Sequence, residues 1–216
     1  MQVQSRVVPI LCLLALVGAG AVQISAQPPG PERPEVWAPQ KISKQDATRF
    51  ASKLALIEKN SLTPRKGGAG RSTQVSDLEV NAYLKYLAGP QIPVGIAEPD
   101  LRGVGNGRVT GRAIVDLDAV RTQKKRGWMD PLGYLTGRLP ITAAGTLTTS
   151  NGVGRFQLES AEISGVTIPK TVLQELLSYY SRTPENPAGI NMDEPFALPS
   201  GIQEIRIGQG TAVIVQ

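Results

Sequence analysis

Two stretches of strict alternation constrain this chain more than any other feature of its sequence. Over Arg108 to Val120, Val109, Gly111, Ala113, Val115 and Leu117 fall on one side. Arg108, Thr110, Arg112, Asp116 and Asp118 fall on the other, and only Ile114 breaks the rule. Leu139, Ile141, Ala143, Gly145 and Leu147 repeat the pattern. Successive side chains of a strand point to opposite faces, so these are long antiparallel strands with one dry face and one wet face. Gly105-Asn106-Gly107 and Asn151-Gly152 are tight-turn signals that join such strands into hairpins. Phe156 and Leu158 continue the dry face, while Arg155, Gln157 and Glu159 face water. Ile205 and Ile207, then Val213 and Val215, form a last hairpin through Gly208 to Gly210.

A dry sheet face must be covered, and the expected cover is a helix. Val172, Leu173, Leu176, Leu177 and Tyr180 recur at helical spacing between Pro169, suited to a first turn, and Thr183-Pro184, which stops the helix. Two helices precede the strands. Ser43 and Asp46 open one of about 43–59, with Ala47, Phe50, Leu54 and Ile57 on one face. Ser76 and Glu79 form the capping box of the other, with Val80, Tyr83, Leu84 and Leu87 as its stripe and Gly89-Pro90 as its stop. Asn81 sits in mid-helix, where it is a poor helix former. It is either a solvent-facing or locally bonded amide, or a buried clamp between this helix and a neighbouring strand. The small inner residues Gly111, Ala113, Ala143 and Gly145 leave room for a helix backbone or a thin apolar ligand against the sheet. The elements together predict an α+β fold: a long, antiparallel, strongly curved sheet wrapped around an amphipathic helix, with additional N-terminal helices.

Composition removes most chemistry. The chain has one cysteine and no histidine among 216 residues. A Ser-His-Asp triad, a Cys-His dyad, the usual zinc sites and histidine-ligated haem are therefore excluded. No Ser-x-x-Lys or G-x-S-x-G motif is present. We assign no catalytic residue, expect no metal or cofactor, and read the protein as non-enzymatic. Asp116 and Asp118 are a conceivable cation or acid/base pair, but alternation already explains them as part of a solvated strand face. The basic loop Leu62 to Thr73 fails as a phosphate loop, because Arg65 replaces its first glycine and Arg71 its lysine.

The beginning of the chain reads as a targeting segment. Arg6 precedes an apolar run from Val7 to Val22, then Ile24-Ser25-Ala26. This predicts a signal peptide over 1–26, either cleaved after Ala26 or retained as an anchor. A proline-rich linker over 27–42 follows, then a single domain over 43–216, with a flexible basic loop at 60–74 and a core at 75–216. Cys12 lies in the leader, so the mature chain has no disulfide. Export and a net charge of +5 favour anionic lipid over nucleic acid as partner. Arg121, Lys124, Lys125 and Arg126 beside Trp128 form a candidate contact with a membrane or its headgroups.

The run Val75-Ser76-Asp77-Leu78-Glu79-Val80-Asn81-Ala82-Tyr83-Leu84, followed by long hairpins, a helix and a final hairpin, resembles small bacterial envelope proteins related to the tubular lipid-binding (TULIP) superfamily. The resemblance covers about residues 75–216. It implies a curved sheet that wraps a long helix and leaves a groove for acyl chains, and it carries no catalytic residue. On this reading Leu84, Leu87, Val115, Leu147, Leu173, Leu177 and Tyr180 line the groove. The function expected is lipid or apolar-ligand binding in the periplasm or outside the cell, with lipid transport or membrane maintenance as the implied roles. The alternative is a structural or adaptor protein of the envelope that has no pocket and binds another protein.

Overall fold

The structure, a computed structural model, describes residues 40–63, 70–122, 136–182 and 186–216. The leader, most of the proline-rich linker, and Lys124, Lys125, Arg126 and Trp128 lie outside the described residues, as do the side chains of Arg121 and Tyr180.

The fold is α+β with antiparallel sheets. Helix α1 (Lys44–Ser61) starts at the expected capping box, in which Ser43 and Asp46 satisfy each other's backbone amides. Strand β1 (Ser72–Ser76) runs directly into α2 (Asp77–Tyr86), which is capped in the same way by Ser76 and Glu79. Strands β2 (Ile96–Gly105) and β3 (Arg108–Asp116) form the first long hairpin. A short helix α3 (Leu117–Thr122) follows. Next come β4 (Arg138–Ser150), β5 (Val153–Ile163) and the two-residue β6 (Val166–Thr167). Helix α4 (Lys170–Ser181), the two-residue β7 (Phe196–Ala197), and the closing hairpin of β8 (Glu204–Ile207) and β9 (Thr211–Val215) complete the order.

The strands build two sheets. One has six strands, in the order β2-β3-β4-β5-β6 with β7 paired to β5, and the other has three, in the order β1-β9-β8. Alternation sets the register of the large sheet: Val109 lies opposite Gly145 and Val115 opposite Leu139. Gly111, Ala113 and Val115 are buried as expected.

Three expectations are corrected. Neither sheet is strongly curled, so no sheet wraps a helix. The physical reason is that the dry face is covered in pieces. Leu173 and Leu177 of α4 pack on Leu147, Phe156, Leu158, Ala161 and Met192, and Leu176 packs on Val115 and Leu117. The small sheet and the two N-terminal helices cover the rest, so the large sheet need not close on one helix. Second, the β3 strand ends at Asp116 rather than Val120. The Asp116 Oδ1 accepts the Ala119 amide at 2.9 Å, which starts α3 there, and Asp118 Oδ2 accepts the Gly137 amide at 3.0 Å. The two carboxylates therefore do not share a strand face. Third, the space beside Gly145 holds neither a helix nor a ligand. A Cβ there would lie 2.4 Å from the Phe156 ring and 2.5 Å from the Gln157 carbonyl oxygen, so the neighbouring strand fills it.

The return from α4 is stapled to that helix. Gln174 Nε2 donates to the Ile190 carbonyl at 3.0 Å, the Met192 amide donates to Gln174 Oε1 at 2.9 Å, and the Ile190 amide donates to Ser181 Oγ at 2.7 Å. Gly189, at φ +77°, passes so close to the helix that a Cβ would lie 2.0 Å from the Ser178 carbonyl oxygen.

Candidate functional site

The seam between the two sheets is made by side chains that imitate a strand. At the outer edge of β2, side chains of α2 take up both backbone groups of Leu101 and the amide of Gly103. Asn81 Oδ1 accepts the Leu101 amide at 2.8 Å and its Nδ2 donates to the Leu101 carbonyl at 2.9 Å. One turn earlier on α2, Asp77 Oδ2 accepts the Gly103 amide at 2.9 Å. Four residues of helix rise about 6 Å and two residues of strand about 6.6 Å, so positions 77 and 81 match alternate edge residues. Asn81 is 4% exposed and is the buried clamp, not the solvent-facing amide. Thr149 does the same at the edge of β8, where its Oγ1 donates to the Ile205 carbonyl at 3.0 Å and accepts the Ile205 amide at 2.7 Å.

Behind this seam lies a cavity of about 140 Å³. Its walls come from α1 (Phe50, Leu54, Ile57), from Val75 and Val80, from Leu101, Val109 and Leu147 of the large sheet, and from Ile205, Ile207, Ala212 and Ile214 of the small one. Leu198, Pro199 and Ile202 close it. Near that end Gln216, 5% exposed, donates through Nε2 to the Ile57 and Ser200 carbonyls at 2.7 and 2.8 Å and caps the last turn of α1. Asp77, Arg102, Gly103 and Thr211 bring the few polar groups. Among the described residues no cluster of possible metal ligands occurs.

Two carboxyls on α2 are tuned in opposite directions. Glu79 is 4% exposed, and burial pushes its carboxyl up. The Lys53 ammonium, 2.7 Å from both oxygens, and the Ser76 amide more than offset this, so its pKa lies below 4.5. Burial pushes Asp77 above 3.8, with Asp100 adding to it and Gly103 and Arg102 opposing. A lowered carboxyl stabilises the fold above its unfolded value and loses that contribution as pH falls through the folded one; a raised carboxyl does the reverse. Glu79→Gln keeps the capping box and loses the Lys53 ion pair. It is expected to cost about 1–3 kcal/mol at pH 7 and to flatten the decline in stability below pH 4.5, measured by urea titration at a series of pH values.

Of the predicted groove residues, Leu147, Leu173 and Leu177 meet in one cluster, Leu84, Leu87 and Val115 lie elsewhere, and the side chain of Tyr180 lies outside the described residues. Among the described residues of that set, Leu147 alone lines the cavity. Leu84 is buried beside it in the cluster of Phe50 and Tyr83, Val115 belongs to the cluster under α3, and Leu173 and Leu177 pack on the cluster of Leu147 without lining the cavity. Leu87 is 45% exposed. The residues missed are Leu54, Leu101, Ile205 and Ala212. Leu54 and Ile205 carry the inward phase of α1 and of the last hairpin, which marks a core position without saying that the core is incomplete, whereas Leu101 lies on β2 and Ala212 has the opposite phase to Val213 and Val215, the pair expected to be apolar in the last strand. Comparison with protein-family models, with curated proteins and with solved structures found no match to this chain.

Proposed function

We propose that this protein is an exported, non-enzymatic binder of a small apolar ligand, held in the cavity between its two sheets. The supporting observation is the cavity itself. Apolar cavities of about 150 Å³ stay dry and accept a benzene-sized guest. Left empty, a void of this size costs a fold on the order of 3 kcal/mol, which an apolar occupant recovers in part. The volume suits one ring or the end of a chain rather than a whole lipid, so the expected acyl-chain groove is replaced by a smaller site. Export rests on the leader read over 1–26, and the anionic surface partner rests on the charge of the chain. Among the described residues no helix is long and apolar enough to cross a membrane.

Ala212 supplies the test. It lines the cavity from β9, so Ala212→Leu fills the void with atoms that need no new backbone space. The variant is expected to melt at or above the wild-type temperature and to lose the thermal shift that toluene or xenon gives the parent. Native mass spectrometry of protein purified without detergent, with an adduct that vanishes in Ala212→Leu, is the second readout. A parent that shows no shift with toluene and no adduct sinks the proposal and favours the pocketless adaptor.

A further inference from the structure

The cavity is not uniform, and its polar residues gather at one end. Asp77, Gly103 and Thr211 meet there: the Gly103 amide donates to Asp77 Oδ2 at 2.9 Å, the Asp77 amide to the Gly210 carbonyl at 3.0 Å, and the Gly210 amide to the Gly103 carbonyl at 2.9 Å. The opposite end, Phe50, Ile57, Leu198 and Ile202, is apolar throughout. Asp77 uses Oδ2 for Gly103, and among the described residues no hydrogen bond falls on its Oδ1. A carboxylate oxygen beside an apolar cavity is an acceptor that a guest can use, and a hydrogen bond to a charged acceptor is among the stronger neutral-donor interactions.

Resting on the apolar-ligand reading above, we propose that the natural occupant carries one hydroxyl on a small apolar body, a monocyclic phenol or a short-chain alcohol, with the hydroxyl donated to Asp77. The volume admits one ring, and the polarity of the walls orients it. A carboxylate guest is disfavoured at this acceptor, because it would set a second anion against Asp77; Arg102, which also lines the cavity, is the group that would favour such a guest. A guest of equal size without a proton to donate gains the apolar burial and nothing more.

The test compares three guests of similar size at pH 7 by calorimetry on the intact protein: p-cresol, its methyl ether, and p-toluate. The ether keeps ring and oxygen and lacks only the donated proton. We expect p-cresol to bind ~10-fold tighter than the ether, a difference of one charge-assisted hydrogen bond, and p-toluate to bind weakest. Asp77→Asn, which can keep an acceptor for the Gly103 amide and removes the charged one offered to the guest, should bring cresol and ether to within ~2-fold of each other. If that variant does not fold, the guest series on the parent decides alone. Equal affinity for cresol and ether in the parent overturns the assignment of Asp77 and leaves apolar binding standing. Tightest binding of p-toluate overturns it in favour of Arg102 as the recognising group. Failure of all three guests overturns both this inference and the reading it rests on.

Discussion

Asn81→Ala is expected to destabilise the protein by about 3 kcal/mol, and Asn81→Asp by at least as much, although aspartate has almost the same shape. The alanine strips partners from the Leu101 amide and carbonyl, and a buried backbone group left unpaired costs about 1–3 kcal/mol. The aspartate retains an acceptor for the Leu101 amide and loses both donors. Those two protons are shared among the Leu101 carbonyl, Gln40 Oε1 at 2.8 Å and Asp100 Oδ1 at 2.9 Å. A carboxylate there would face the Asp100 carboxylate without a proton between them, in a site that is 4% exposed. Thermal melting should fall by on the order of 10 °C for each variant. An Asn81→Asp protein within about 0.5 kcal/mol of the parent at pH 7 would show that shape, not hydrogen bonding, is what position 81 supplies.

Phe50→Ala is the other large effect. Phe50 is 2% exposed, meets the Tyr83 ring edge-on at 5.3 Å and 65°, and forms part of the cavity wall. Deleting a buried phenylalanine costs about 3–5 kcal/mol, and the upper part of that range applies where the site cannot collapse. Here the lost ring enlarges the existing cavity of about 140 Å³, and the wall it leaves has few atoms opposite it to pack against. The variant should also accept a bicyclic guest such as naphthalene that the parent rejects, and regain stability in proportion to its occupancy. Urea denaturation with and without naphthalene measures both. A loss below about 1 kcal/mol would mean that α1 relaxes into the void and that the wall is softer than its packing indicates.

What could be read from the sequence was whatever is local. Both capping boxes stand where Ser43 with Asp46 and Ser76 with Glu79 put them, because a cap is decided within four residues. The hairpin turns at Asn106 and Asn151 adopt the positive φ their residues favour, +52° and +50°. Inward alternation gave the dry face of β3, where Gly111, Ala113 and Val115 are buried. The second sheet was hidden. Its first strand, Ser-Thr-Gln-Val-Ser, has a single apolar residue and no alternation to see, and it becomes a strand only because β9 lies beside it. Without that sheet, one helix had to cover the whole dry face, and the expected curvature followed from this. The stripe of α4 was read correctly as apolar, yet Val172 remains 43% exposed and its leucines divide between two clusters. The site was the least legible part, since a cavity is a shortage of atoms among residues that each look like ordinary core.

The pairing of β1 with β9 joins the first strand of the described domain to its last, with the whole large sheet between them in sequence. Contacts of such long range form late, after the loop-closure entropy of the intervening chain has been overcome. Late closure predicts that the cavity walls supplied by Ala212 and Ile214 meet Phe50 and Ile57 near the end of folding. A molecule that needs those walls has nothing to hold in the transition state. A guest of the proposed kind is therefore expected to slow unfolding and to leave the speed of folding unchanged, which folding and unfolding rates measured with and without toluene would check.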